Sequence, residues 1–304
     1  MLARLEESIG AGILRLVQVA QRRAVRAQLK QHVDARGRVT PYLECGVAKE
    51  GTLVWLHGFS DEPDSFLRTA AQLVDRYRIV APAMPGFADG WADPAERHTF
   101  EAYAEWLGEV VSAVGGERFH LMGNSLGGAT AIGVAAALGP ERVVSLVPVN
   151  SAGLELVGVR AVGDEMRAGQ NLFAVRDPQA YRQFIKRIFA QPPYIPRPVL
   201  LQLTAKLRRS ADWYDRLIAD MTQSKGHTSD DGNASSIDLT SLRVPTLVVW
   251  GDRDTLFPLA HGEHFARAIP GAKLEVLEGV GHCPHLEAPT RLADAFSRFA
   301  ASLG

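Results

Sequence analysis

The sequence predicts an α/β protein with a mostly parallel, helix-covered sheet and an inserted helical segment. Three observations support this fold class. Short apolar segments alternate with helical segments over residues 39–152 and again over 243–304. The alternation stops between about residues 153 and 242. One apolar segment runs into a turn that carries Ser125 between Gly123 and Gly127, a pattern typical of an exposed nucleophile.

Residues 1–38 form the first predicted unit, an amphipathic helix running to about Val33. Its eight Lys/Arg and three Asp/Glu give it a formal charge of +5. Arg15 and Gln18 interrupt the apolar run, so neither a secretory signal nor a membrane span is expected, and we expect a cytoplasmic protein. Two interpretations stay open: a helix packed on the body or on a second subunit, and a basic helix lying on the inner membrane surface. The apolar positions recur at three- and four-residue steps: Leu2, Leu5, Ile9, Ile13, Leu16, Ala20 and Ala24.

The first half of the body alternates strands with helices. Thr99 is the expected cap of a fifteen-residue helix that Gly115 and Gly116 end. The predicted strands are Val39–Cys45, Thr52–Leu56, Arg78–Pro82, the segment from Phe119 to the serine turn, and Arg142–Val149. The predicted helices are Ser65–Arg76, Phe100–Val114 and the segment from the serine turn to about Leu138.

Residues 153–242 are predicted to form a helical cap over an active site. Helical patterns at Ala180–Phe189 and Leu200–Arg209 are separated by proline-rich breaks, and 226–236 is a polar, turn-rich loop. The chain then returns to the sheet with strands Pro245–Trp250 and Lys273–Leu277 and a closing helix Thr290–Leu303. Five cap aromatics are expected either to line an apolar tunnel or to form the cap's own core: Phe173, Phe184, Phe189, Tyr194 and Trp213.

Ser125 is the expected nucleophile. A serine on a sharp strand-to-helix turn needs small neighbours two positions away on either side, and the helix N-terminus behind it favours developing negative charge. The alternative is a tight turn with a serine cap. His57 and Gly58 end an earlier strand, where the Phe59 N–H and the Leu126 N–H are expected to form a two-donor oxyanion hole. The alternative there is a plain strand exit with a hydrogen-bonded histidine.

The acid and the base follow the last two strands. Asp252 and Asp254 come after one strand and His282 after the next, so the order is that of serine hydrolases. An imidazole must take the serine proton, and a buried carboxylate must hold the imidazole. We choose Asp254, since Asp252 is able to cap the turn instead. His282 is preferred to His285 because it directly follows a glycine turn.

Composition excludes several other classes of function. The 304 residues have a formal net charge of −1, so no basic surface indicates nucleic acid. Cys45 and Cys283 are the only cysteines and suggest no disulfide framework. The histidine pairs 261/264 and 282/285 do not complete a zinc signature. We therefore expect no metal and no cofactor.

These motifs resemble those of the α/β-hydrolase superfamily from about residue 39 to the C-terminus. The resemblance implies an eight-stranded sheet, a helical cap after the sixth strand, and the nucleophile, acid, base and oxyanion donors named above. Within the superfamily the chain looks most like monoacylglycerol lipases and related esterases, some of which carry a membrane-associated N-terminal segment. The motifs that carry this similarity are His57–Glu62 through Ser65–Phe66, Pro85–Gly86 and Val149–Leu154.

The expected activity is therefore hydrolysis of a small acyl ester, a monoacylglycerol or medium-chain ester. One alternative is a carbon–carbon hydrolase of the meta-cleavage type, which shares the Gly-Asn-Ser-x-Gly-Gly-Ala-Thr pattern of Gly123–Thr130. The chain departs from that group because it lacks the glycine-rich run after Gly58 and carries Cys283 where a tryptophan is usual. The other alternative is a non-catalytic ligand receptor on the same fold, which an intact triad disfavours.

Overall fold

An eight-stranded sheet forms the centre of the computed structural model, which describes residues 2–154, 156, 159, 161–223 and 238–304. The strand order is β1-β2-β4-β3-β5-β6-β7-β8. β2 pairs antiparallel with both β1 and β4, and the pairs from β4 through β8 are parallel. The strands are β1 (Gln28–Val33), β2 (Val39–Gly46), β3 (Thr52–Leu56), β4 (Arg78–Pro82), β5 (Phe119–Asn124), β6 (Val143–Val149), β7 (Leu247–Gly251) and β8 (Lys273–Leu277).

Helices cover both faces of this sheet, which explains why its central strands are apolar throughout. All five residues of β3 are buried. Val54 and Leu56 belong to one core cluster and Leu53 and Trp55 to the other, as alternation along a strand requires. The helices are α1 (Leu2–Ala24), α2 (Leu67–Ala70), α3 (Phe100–Val114), α4 (Leu126–Arg142), α5 (Val162–Arg167), α6 (Pro178–Ile188), α7 (Arg197–Gln223), α8 (Leu259–Ala268), α9 (Pro284–Glu287) and α10 (Pro289–Ala301).

The N-terminal helix is shorter than the sequence pattern predicts. It ends at Ala24, and residues 28–33, expected to be helical, form the edge strand β1 instead. Arg26 reverses the chain direction with a positive φ of 52°. Lys30 pairs with Glu44 of β2. The two apolar residues of β1, Leu29 and Val33, are exposed, so this edge strand lacks the buried apolar face from which a strand is usually recognised in a sequence.

One face of α1 packs against the helix α7. A Cβ added at Gly10 would lie 2.0 Å from the carbonyl oxygen of Pro198, so the two backbones approach closely. Glu6 and Arg197 form an ion pair across the same interface at 3.2 Å. Within the part of the chain that the structure describes, none of the helices combines the length and the apolar character that a membrane span requires.

The segment predicted to form a cap lies between β6 and β7, and its described residues include α5, α6 and α7. α7 is longer than expected: the pattern over residues 200–209 predicts only part of its first half. The polar loop predicted at 226–236 lies outside the described residues. In the first half of the body, α3 begins and ends where predicted, and Thr99 Oγ1 accepts a hydrogen bond from the Ala102 N–H at 3.2 Å.

Candidate active site

Ser125 lies on the tight turn between β5 and α4. Its φ of 55° and ψ of −118° are unusual for a residue with a side chain and indicate local strain. The turn needs both flanking glycines. A Cβ at Gly123 would lie 2.3 Å from the carbonyl oxygen of Gly127, and one at Gly127 would lie 2.4 Å from that of Leu56. The Ser125 N–H donates to the Val149 carbonyl at 3.0 Å, which fixes the turn to the neighbouring strand.

The expected acid and base are in direct contact. His282 Nδ1 lies 2.8 Å from Asp254 Oδ2. Asp254 Oδ1 accepts hydrogen bonds from the N–H groups of Leu256 at 2.7 Å and Phe257 at 3.1 Å. With donors on both oxygens, the carboxylate is the acceptor in its contact with His282. The histidine therefore carries its proton on Nδ1 and leaves Nε2 free to accept one.

Asp252 occupies a different role. Its Oδ1 accepts a hydrogen bond from the Gly279 N–H at 2.6 Å, and its Oδ2 lies 3.5 Å from the Arg253 guanidinium. These contacts stabilise the turns that follow β7 and β8 and do not reach the histidine. The choice between the two acids thus agrees with the observed contacts, in which Asp254 is the partner of His282.

Asn150 is a site residue that the sequence analysis did not identify. Its Nδ2 donates to Asp254 Oδ2 at 2.7 Å, while its Oδ1 accepts from the Gly251 N–H at 3.1 Å. Asn150 has a positive φ of 43°, a conformation that asparagine tolerates better than most residues. An asparagine directly after a buried strand, at the sheet edge that carries the other site residues, was the available signal.

Asn124 has a related role one strand away. Its Nδ2 donates to the carbonyl oxygens of His282 at 2.9 Å and of Val149 at 3.1 Å. This amide therefore connects the turn that carries Ser125 to the loop that carries the histidine. The two asparagines hold the three loops together without presenting a titratable group.

The two backbone N–H groups expected to stabilise an oxyanion are positioned by the ends of β3 and β5. Leu126 is the first residue of α4, where an N–H has no carbonyl acceptor within the helix. Among the described residues, the Phe59 N–H donates no backbone hydrogen bond. A Cβ at Gly58 would lie 3.3 Å from the Ser125 Cβ, so this glycine allows the two loops to approach closely.

His57 has a structural role that is compatible with both interpretations of this strand exit. It is fully buried, its Nδ1 donates to the Gly58 carbonyl at 2.9 Å, and its Nε2 accepts from the Met84 N–H at 3.0 Å. Burial lowers the pKa of His57, which favours this neutral, bridging form. The ring thereby joins the loops that follow β3 and β4.

Ser125 and His282 line one cavity of about 210 Å³ beneath the cap. Phe173, Phe184 and Phe189 also line it, and Phe173 and Phe184 belong at the same time to a buried core cluster. Tyr194, by contrast, is 91% exposed, and Trp213 donates to the Gly86 carbonyl at 2.9 Å. The residues that also line this cavity include Phe59, Asp61, Glu62, Ile185, Leu203, Lys206 and Cys283.

Cys283 follows the histidine directly and borders the same cavity. Burial raises the pKa of its thiol well above the ordinary value, so the nucleophilic thiolate is disfavoured at neutral pH. Among the described residues, no group of three histidine, cysteine or acidic side chains is arranged to hold a metal ion.

Comparisons with known proteins identify the fold family. A family model described as "alpha/beta hydrolase fold" matches residues 51–289. Lipase 1 of Psychrobacter immobilis is 27% identical over 273 residues, which cover 90% of this chain and 84% of the lipase. Human monoacylglycerol lipase ABHD6 is 25% identical, over 83% of this chain and 76% of that protein.

Solved structures of other proteins share the fold of this chain. A bacterial membrane phospholipase A, described as a virulence factor, superposes with a TM-score of 0.87 at 27% identity, covering 97% of this chain and 92% of its own. A lipase from Acinetobacter baumannii described as lip1 gives a TM-score of 0.86 at 23% identity, covering 95% and 96%. The second likeness supports the fold alone.

Proposed function

The chain belongs to the α/β-hydrolase fold family, and on that premise we propose that it is a serine hydrolase that cleaves carboxylic esters through an acyl-enzyme. The contact that carries the proposal is the 2.8 Å distance between His282 Nδ1 and Asp254 Oδ2, in a loop that borders the same cavity as Ser125. Nucleophile, base and acid are then Ser125, His282 and Asp254.

The proposed reaction has two steps. His282 Nε2 takes the Ser125 proton as the hydroxyl oxygen attacks the ester carbonyl, and the Phe59 and Leu126 N–H groups stabilise the oxyanion. The imidazolium, stabilised by Asp254, then gives the proton to the departing alcohol and leaves the acyl group on Ser125. In the second step His282 takes a proton from water as the water oxygen attacks the acyl carbon. His282 then returns this proton to Ser125 Oγ as the bond to the acyl group breaks, which releases the carboxylic acid and restores the free serine.

The cavity favours a monoacylglycerol or a medium-chain acyl ester as substrate. Its walls are apolar over Phe184, Ile185 and Leu203, which suits a single acyl chain, and the segment 153–242 acts as the cap. The names of two relatives, a lipase and a monoacylglycerol lipase, point to the same substrate class.

Hydrolysis of acyl esters of increasing chain length, monoacylglycerols included, tests this proposal. We expect a maximum of kcat/KM at medium chains. Ser125→Ala is the control and should lower kcat by a factor of about 10³ or more. Near-normal activity of that variant would overturn the assignment of Ser125. No ester hydrolysis by the native protein would overturn the proposed function and favour the carbon–carbon hydrolase alternative.

We further propose that α1 contacts an anionic membrane surface peripherally. The helix packs on α7 with one face and leaves a continuous apolar stripe exposed on another: Leu5, Ile9, Ile13, Leu16 and Val17. Arg4, Arg15 and Arg23 are also exposed on α1. An exposed apolar stripe flanked by arginines is typical of helices that lie in the interface of a bilayer containing anionic lipid.

Flotation with vesicles of anionic phospholipid tests the membrane contact on the full chain. We expect the triple variant Leu5→Asn, Ile9→Asn, Leu16→Asn to lose partitioning. Leu29→Asn with Val33→Asn is the matched control, since these exposed apolar residues lie on the edge strand β1. Equal partitioning of both variants would refute the membrane contact. Light scattering on the same samples distinguishes the alternative, a contact between two copies through residues 1–38.

A further inference from the structure

One end of the cavity beneath the cap is polar, in contrast to its apolar walls. Asp61 and Glu62 border it from the loop that begins at Gly58, and Lys206 borders it from α7. Lys206 Nζ donates to Glu62 Oε2 at 2.7 Å, and Gln18 Nε2 of α1 donates to Glu62 Oε1 at 2.8 Å. Three elements distant in sequence therefore meet at this end, which we call the polar end.

The ammonium group of Lys206 has hydrogen-bonding capacity to spare. An ammonium carries three N–H donors, and Glu62 takes one of them. Among the residues that the structure describes, the Lys206 ammonium makes no second hydrogen bond. Burial by itself would lower the pKa of Lys206, but the Glu62 carboxylate raises it, so the group stays charged. Its side chain is 42% exposed, so it remains accessible from the cavity opening.

The charges at the polar end select among possible head groups. Two carboxylates face one ammonium, so a phosphate-bearing head group meets net negative charge and is disfavoured. A neutral hydroxyl group, by contrast, both accepts from an ammonium and donates to a carboxylate. An alcohol with two adjacent hydroxyls satisfies both kinds of group at once.

The position of the polar end relates it to the reaction. Glu62 lies three residues after Phe59, whose N–H is a proposed oxyanion donor. The apolar residues of α6 that line the cavity are available to contact the acyl chain. An ester that places its chain against Phe184 and Ile185 directs its alcohol toward the remaining, polar part of the cavity.

We propose that Glu62 and Lys206 select esters whose alcohol is a small neutral polyol such as glycerol. This inference rests on the proposed ester hydrolysis and adds to it the residues that determine specificity for the alcohol. The two side chains bind and orient the alcohol and take no part in proton transfer.

The test compares three esters of the same acid: monodecanoylglycerol, methyl decanoate and decanoylglycerol phosphate. For the native protein we expect the highest kcat/KM with monodecanoylglycerol. Lys206→Met should lower the ratio of kcat/KM for monodecanoylglycerol to that for methyl decanoate roughly ten-fold, as expected for the loss of a hydrogen bond to a charged group. Lys186→Met is the matched control, because this lysine is exposed on α6 outside the cavity, and it should leave the ratio unchanged.

Glu62→Gln is the second variant. It is expected to raise kcat/KM for one substrate, which damage to the fold would not do. Removing one negative charge should raise kcat/KM for decanoylglycerol phosphate a few-fold relative to methyl decanoate. An unchanged ratio in Lys206→Met, or a native preference for the phosphate ester, would overturn this inference while leaving ester hydrolysis intact. Hydrolysis of none of the three esters would instead overturn the proposed function.

Discussion

Two aspartate–histidine pairs lie close together in this molecule, and they differ in what surrounds them. Asp254 and His282 are 2.8 Å apart, and donors engage both oxygens of the carboxylate. Asp61 and His285 are 3.4 Å apart, with Ser65 Oγ donating to Asp61 Oδ2 at 2.7 Å. The two histidines are only three residues apart in sequence, yet only His282 borders the cavity that Ser125 lines.

The His285 ring is fully buried and packs 5.0 Å from the Trp55 ring. The backbone carbonyl of His285 accepts a hydrogen bond from Thr69 Oγ1 at 3.2 Å, which links α9 to α2. An acid beside a histidine is therefore insufficient for a catalytic base. The imidazole must also face the nucleophile, and its acid must be fixed by other donors.

Removing each histidine gives the largest expected contrast between the two pairs. His282→Ala should lower kcat by a factor of about 10³ or more, because no group remains to take the serine proton. His285→Gln should keep kcat within about ten-fold and lower the free energy of unfolding by about 1–3 kcal/mol through lost packing on Trp55. Ester kinetics and denaturant unfolding measure both quantities. Equal losses of kcat would show that the distinction between the pairs is wrong.

Neutralising each acid gives the next contrast. Asp254→Asn should lower kcat by about 10²–10⁴, because an amide no longer holds the required tautomer of His282 or stabilises its charge. Asp61→Asn should lower kcat less than about ten-fold. Asp252→Asn is the control, since this residue caps a turn at the same loop. If Asp252→Asn were as damaging as Asp254→Asn, the acid would be misassigned.

Asn150 tests whether the support of the acid matters. Asn150→Asp keeps the backbone preference but places an acceptor beside Asp254 Oδ2 in place of a donor. The repulsion should cost about 1–3 kcal/mol of stability and lower kcat by roughly ten-fold or more. Thermal unfolding and ester kinetics measure these effects. Unchanged kcat would mean that the asparagine has no part in positioning the acid.

His120 shows what burial does to a histidine outside the cavity, and it is expected to affect stability and not catalysis. Burial lowers its pKa from 6.5 to about 4, and its Nδ1 contacts Ser145 Oγ at 2.8 Å. Between these pH values the unfolded chain binds a proton that the folded protein does not. Stability should therefore fall as the pH drops from 6.5 toward 4, by up to about 3 kcal/mol from this residue.

Comparing the unfolding free energy of the native protein and of His120→Gln at pH 7 and pH 4.5 checks this expectation. The native protein should lose more stability on acidification than the variant does. Identical losses in both proteins would show that His120 does not supply the pH dependence.

The sequence predicts the parts of this molecule that follow from local pattern. The predicted strand Lys273–Leu277 and the capped helix Phe100–Val114 are confirmed at their predicted limits. The eight-stranded sheet agrees with the resemblance to the α/β-hydrolases, and the family match confirms that resemblance. The glycines beside Ser125 and His282 could be recognised as turn residues from the sequence, because the steric constraints of a turn act within a few positions.

The features that the sequence did not reveal depend on contacts between distant segments. The edge strand β1 lacks a buried apolar face, since Leu29 and Val33 are exposed, and it is stabilised by pairing with β2. The hydrogen bond from Asn150 to Asp254 spans 104 residues, and the ion pair of Glu62 with Lys206 spans 144. No local pattern marks such partners, because each is an ordinary polar residue until the fold brings the two together.

The most direct test of the central claim is to trap the acyl-enzyme. The protein is mixed with p-nitrophenyl decanoate, quenched with acid during the first turnovers, and mapped by peptide mass spectrometry. We expect a decanoyl group on Ser125, and no such adduct in Ser125→Ala. Continued turnover with the acyl group on another residue, such as Cys283, or with no covalent adduct at any quench time, would contradict it.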